Sequence, residues 1–170
     1  MFSLSSKLRC FRIENSAQPS DTGTPVSQLS KTFPKVDFSH VDPVYPDKTS
    51  PAGSRYAYTR NAILARAQSC LRDLYNRPEK FIIIVSHSCF LRLAVTGCWF
   101  FNGDYRIFDF EEREGPEDEY RLKQWEQTRD GGMGWSWSKK VDIGSDLPDE
   151  DGQEQLGTED RSSTGGGEDL

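Results

Sequence analysis

The chain has 170 residues, 35% hydrophobic and 28% charged, with a formal net charge of −6. That is about one domain's length with material for one modest core, and no run approaches the ~18 apolar residues of a membrane span. Nine acidic side chains against Arg161 alone give residues 144–170 a net of −8, so the rest carries +2 and offers no basic face for nucleic acid.

Residues 1–13, MFSLSSKLRCFRI, carry basic residues and no acid. They lack the apolar run of a secretory signal; a mitochondrial presequence is the lesser reading beside a cytoplasmic location. Cys10, Cys70, Cys89 and Cys98 show neither a CxxC pair nor metal spacing. Reduced thiols, no metal and no other cofactor are therefore expected.

In TPVSQLSKTF, Val26, Leu29 and Phe33 recur at helical intervals, Thr24 is placed to cap and Pro25 suits the first helical position. PVYPDKTSPAGS reads as an extended loop, because each proline biases its predecessor away from helix. From Ser54 to Arg77 the spacing predicts the best helix. Tyr56, Ile63, Ala67, Leu71, Leu74 and Tyr75 form its apolar stripe, with Arg60, Arg66, Arg72 and Asp73 at polar positions. Pro78 ends it.

Phe81 to Val85 reads FIIIV, an apolar run without alternation. Such a run predicts a strand covered on both faces, as in the middle of a parallel sheet. From Ser88, placed to cap, Phe90, Leu91, Ala94, Val95 and Cys98 take helical spacing. Helix, strand, helix is the grammar of an α/β sheet. NGDYRIFDFEE and EYRLKQWEQ then predict two strands joined by REGPED, with Arg106, Phe108 and Phe110 on one face of the first. GGMGWSWSKKV predicts a glycine-rich loop with a last strand. Residues 144–170 predict a disordered acidic tail, read as a solvated extension in preference to an interaction arm.

His87 falls where the strand stops and the helix begins. In open α/β sheets ligands sit beyond the strands' C-terminal ends, and a helix N-terminus favours anions, phosphate above all. The position suggests a small anion pocket with His87 as donor and Ser88 beside it. The plainer alternative is a histidine that merely closes a turn.

YNRPEKFIIIVSHSCFLR and NGDYRIFDF, with SDTGTPVSQLSKTFPKVDFS upstream, resemble the histidine phosphatase (phosphoglycerate mutase-like) superfamily, its fungal members above all. The family pattern runs Arg-Pro-Glu, an apolar strand, Ser-His-Ser-Gly-Phe-Leu-Arg, then Asn-x-x-Tyr-Arg-Ile-Phe-Asp-Phe. The resemblance covers about residues 14–140. It implies a three-layer α/β/α fold and phosphoryl transfer through a phosphohistidine. It also implies a small phosphorylated substrate, with His87 helping two arginines hold the phosphate. Glu14 lies where the family carries the acid that protonates the leaving group.

The match is partial. No Arg-His-Gly, the family's nucleophile motif, occurs in the 170 residues. The other histidine, His40, sits in VDFSHVDP without arginine or glycine neighbours and reads as a loop residue. The two phosphate-holding arginines are unassigned; Arg92 is expected to pair with a nearby carboxylate. Cys89 stands where the family has glycine. A helix N-terminus can activate a thiol there, but no Cys-x5-Arg loop follows, so packing is the expected role.

The expectation is therefore an atypical segment over 1–13, an incomplete phosphoglycerate mutase-like domain over 14–143, and the tail over 144–170. The sheet would lack its N-terminal nucleophile strand, as in a truncated copy or a reading frame begun inside a longer one. That would leave IIIVS with an exposed apolar edge and a marginal fold. The chain is expected to be inactive alone. The alternative is a non-catalytic remnant that binds an anion or a protein, and oligomeric state is left open.

Overall fold

A computed structural model describes residues 15–16 and 21–148. Glu14, Cys10, the segment 1–13 and the tail beyond Pro148 lie outside the described residues. Helix α1 spans Val26–Thr32, shorter than the expected stretch, and buries none of its side chains. Pro25, not Thr24, holds its N-cap position and supplies no side-chain cap. The proline-rich stretch that follows is turned rather than simply extended. Asp47 accepts from the Ser50 hydroxyl and from the amides of Ser50 (3.0 Å) and Thr49 (2.9 Å), which leads into a 3-10 segment at Pro51–Tyr56. Those donors hold the Asp47 carboxyl down at about 2, from an ordinary 3.8.

Helix α2 spans Arg60–Tyr75. It begins later than Ser54 because Thr59 stays extended and caps it, its hydroxyl accepting from the Ala62 amide at 3.3 Å. Ile63, Ala67 and Leu71 are buried as the stripe predicts, but Tyr75 is exposed. Arg66, expected at a polar position, is 2% exposed. It sits three residues from Ile63 and four from Cys70, on the buried face itself. Its guanidinium lies 5.9 Å from the Tyr56 ring centroid and 5.6 Å from that of Phe90. Both rings lie within reach of a cation–π contact with the charge.

Helix α3 begins at Ser88–Phe90 and continues as a wider π turn over Leu91–Thr96. Phe90, Leu93, Ala94 and Val95 point into the same core as Ile63, Ala67 and Leu71. Gly97 ends the turn at φ +72°, where a Cβ would come within 2.5 Å of the Val141 carbonyl oxygen. Only glycine fits that approach.

The sheet is small. Strands β1 (Phe108–Phe110) and β2 (Leu122–Gln124) pair antiparallel, with Asp109 opposite Lys123, as the two strand patterns predict. The expected last strand is reduced to a single bridge between Cys98 and Lys140. The described residues are thus mixed helix and sheet, the sheet being this one pair.

Phe81–Val85 is not a strand, contrary to the expectation of a doubly covered one. Over 80–85 the backbone makes no hydrogen bond to the described residues. A parallel strand requires neighbours on its flanks, and β1 and β2 pair only with each other. Gly144 to Pro148, assigned by composition to the acidic tail, instead lie on the core. The Gly144 amide donates to the Leu93 carbonyl at 2.7 Å, Leu147 is buried, and Pro148 accepts from the Arg60 amide at 2.8 Å. One apolar leucine in an acidic stretch is enough to dock it.

Among the described residues no helix is long and apolar enough to cross a membrane. Phe90 is 1% exposed and touches both halves of the core. Phe90→Ala is expected to lower stability by about 3–5 kcal/mol, read from urea unfolding. A loss under about 1 kcal/mol would remove the ring from its central place in this packing.

Candidate functional site

The extended segment reaches its end at His87, whose φ of −88° and ψ of 141° are still those of a strand. The next three residues are helical, and the His87 carbonyl accepts from the Leu91 amide at 3.0 Å. His87 itself therefore occupies the N-cap position, and Ser88, expected to cap, is the first helical residue. The Ser88 hydroxyl donates to the Phe100 carbonyl at 3.0 Å, tying the helix start to the segment after Cys98. Cys89 is half-buried and accepts from the Asn15 side-chain amide at 3.5 Å. The His87 side is exposed, while Phe90 one turn on anchors the junction in the core.

Arg92 departs from expectation. It forms no ion pair among the described residues, and its Nε is buried without a hydrogen-bond partner. His40 lies in an exposed turn beside Asp37, which accepts from the Ser39 amide at 2.9 Å. A shallow depression of about 250 Å³ is lined by five consecutive residues, Thr32 to Val36, and does not include His87. Among the described residues no group of three His, Cys, Asp or Glu side chains is arranged to hold a metal ion.

A second constellation is not foreseen by the sequence patterns. Asp104 accepts from the amides of Tyr105 (2.8 Å), Met133 (2.8 Å) and Trp135 (3.2 Å) and from the Ser136 hydroxyl (2.7 Å). Two residues on, Arg106 donates to the carbonyls of Trp99 (2.7 Å), Thr128 (3.2 Å), Arg129 (2.5 Å) and Trp137 (2.8 Å). Alternation places Arg106 on a strand face; its spacing after Asp104, with glycines at 131 and 132, is the signal that points elsewhere. Gly131 has φ +87°, and a Cβ there would meet the Asp104 carboxylate at 1.8 Å. The clamp gathers a partly exposed aromatic face, in which Trp99 and Trp137 stack at 4.4 Å and Phe101 meets Trp135 edge-on at 6.1 Å.

Chemically the two constellations differ. Asp104 and Arg106 are spent on backbone groups and on the Ser136 hydroxyl, and hold loops in place. His87 is exposed, and an imidazole is a side chain able to donate a hydrogen bond or a proton. Comparison with protein-family models, curated proteins and solved structures finds no match for this chain.

Burial opposes ionisation of Asp104, but the Met133 amide, the Ser136 hydroxyl and the Tyr105 and Trp135 amides outweigh it and hold the carboxyl below 3.8. Its stabilisation is therefore present above the unfolded value and lost as pH falls through the lower folded one. Thermal unfolding of the native protein should weaken below about pH 4, and Asp104→Asn should show a shallower decline there. Parallel declines in the two proteins would contradict this.

Proposed function

We propose that this chain is a histidine-phosphatase-like polypeptide, descended from the three-layer phosphoglycerate mutase-like fold, which does not hydrolyse phosphate monoesters by itself. The observation that carries the reading is the junction at His87. An apolar extended segment turns into a helix at Ser88, and an exposed imidazole stands at the turn, within SHSCFLR. The order of the other motifs along the chain supports it.

On this reading His87 donates to an oxygen of a small phosphorylated molecule or of phosphate itself, in a cytoplasmic setting. Ser88 contributes its backbone N–H, since its hydroxyl hydrogen is committed to Phe100. Glu14 stands where the resemblance places the leaving-group acid, a role that turnover alone would use. Turnover needs an attacking group beside the phosphorus, and the sequence's other histidine, His40, stands in an exposed turn without the motif that activates one. Within the enzyme lineage, phosphatase descent is favoured over mutase, because a mutase must close over its phosphoenzyme and exclude water. A second reading, a protein-binding remnant, is favoured by the bare apolar run of Phe81, Ile83 and Val85.

Two measurements test the proposal. With a generic aryl phosphate, the native protein and His87→Ala should show the same trace rate; robust native turnover lost in the variant would overturn inactivity. Titration with inorganic phosphate, followed by NMR, should shift the His87 ring and Ser88 amide signals with a Kd on the order of 1 mM. Unmoved signals in the native protein would overturn phosphate binding.

A further inference from the structure

The loops drawn together by Asp104 and Arg106 carry an aromatic face that the phosphate reading does not use. A backbone bridge joins Cys98 to Lys140 in antiparallel sense, and the Val141 amide donates to the Gly97 carbonyl at 3.0 Å. Along the two segments leaving this bridge the side chains alternate. Cys98 and Ser136 are buried, whereas Phe101, Trp135 and Trp137 turn outward, Trp137 being 66% exposed. Two positions beyond Trp137, in the same outward phase, Lys139 is exposed and forms no ion pair among the described residues. The nearby acids are occupied. Asp104 is enclosed by three amides and the Ser136 hydroxyl, and Asp130 lies 3.7 Å from the Arg129 guanidinium. The unpaired charge on the row is therefore positive.

The arrangement of the rings selects the partner. Trp99 and Trp137 stack on each other at 4.4 Å, and Phe101 stands edge-on to both Trp99 and Trp135. The rings thus spend much of their flat surface on one another. A nucleobase or a quaternary ammonium needs an open ring face, and few are left here. A lipid interface asks for protruding apolar edges, indole N–H groups that reach headgroups, and a lysine to meet anionic lipid. Met133, also exposed, adds an apolar side chain that has no stacking face at all. A second copy laid on the same row would meet Lys139 with no carboxylate in that row to pair it. Because Asp104 and Arg106 already hold the loops, contact requires little further ordering.

We propose that the row of Phe101, Trp135, Trp137 and Lys139 docks on an anionic membrane surface without spanning it. Vesicles of phosphatidylcholine with phosphatidylserine should co-sediment the native protein and shift its tryptophan emission to the blue. Pure phosphatidylcholine should bind it about fivefold more weakly, the effect of one lysine near an anionic surface. Lys139→Gln should erase that difference; its native side chain is exposed and unpaired, so it tests the face even where tryptophan variants lose stability. Trp135→Ala combined with Trp137→Ala should weaken vesicle binding at least ~10-fold. Leucine at both positions should restore it to within about threefold, since lipid contact reads apolar area and stacking reads a ring. Native protein that stays in solution with anionic vesicles overturns the proposal. So do equal binding to the two vesicle types, binding kept by the double alanine variant, or leucine variants that fail to bind. A lipid-free dimer held by these tryptophans, or single-stranded DNA bound in place of vesicles, overturns it as well.

Discussion

The packing of Phe90 against α2 is the contact on which the rest of this structure depends. One aromatic ring, 1% exposed, touches the side chains that α2 buries and carries the start of α3 with it. Because His87 is three residues upstream, its position is inherited from that ring rather than from a sheet. Arg66 reinforces the same point, its guanidinium set near both the Phe90 and Tyr56 rings. A buried cation flanked by aromatic faces is sensitive to any change in their spacing. The core therefore fixes the helical side of the junction firmly.

Beyond Cys98 a different device takes over. Three-residue strands supply few ladder bonds, and β1 and β2 alone are too short to organise the long loops around them. Asp104 and Arg106 do that instead, an acceptor and a donor two positions apart reaching backbone groups from residues 99 to 137. Each bond involves a charged partner, the stronger class of hydrogen bond. The aromatic face of Trp99, Phe101, Trp135 and Trp137 is gathered as a result of that clamp. Side-chain-to-backbone bonding here does what a wider sheet does elsewhere.

These mechanisms explain which features are legible in the sequence. Helical periodicity records local geometry, so α2 and the helix after His87 can be read from Ile63, Ala67, Leu71, Phe90 and Ala94. Alternation records it equally well for β1 and β2. FIIIV misleads because a continuous β-branched run reports what a segment needs, namely cover, and not whether the chain supplies it. Arg66 misleads because its charge outweighs its position on the helix face, and Leu147 because the composition around it is acidic. The Asp104–Arg106 clamp is invisible for a further reason: apart from the Ser136 hydroxyl its partners are backbone groups, which carry no residue identity. At the candidate site, the His87 junction is legible from the change of period alone. The commitment of the Ser88 hydroxyl to Phe100 and the isolation of Arg92 depend on contacts between segments far apart in the chain, which no local pattern records.

The bare strand and the histidine at its end are parts of one problem. Stabilising charge on a phosphoryl group demands donors already fixed at the right place, because a donor that must be ordered on binding gives back much of what it gains. His87 is held on its helical side by Phe90, while the backbone over 80–85, beyond Ser86, makes no hydrogen bond to the described residues. Such an arrangement suits weak anion contact better than catalysis, in keeping with the inactivity proposed.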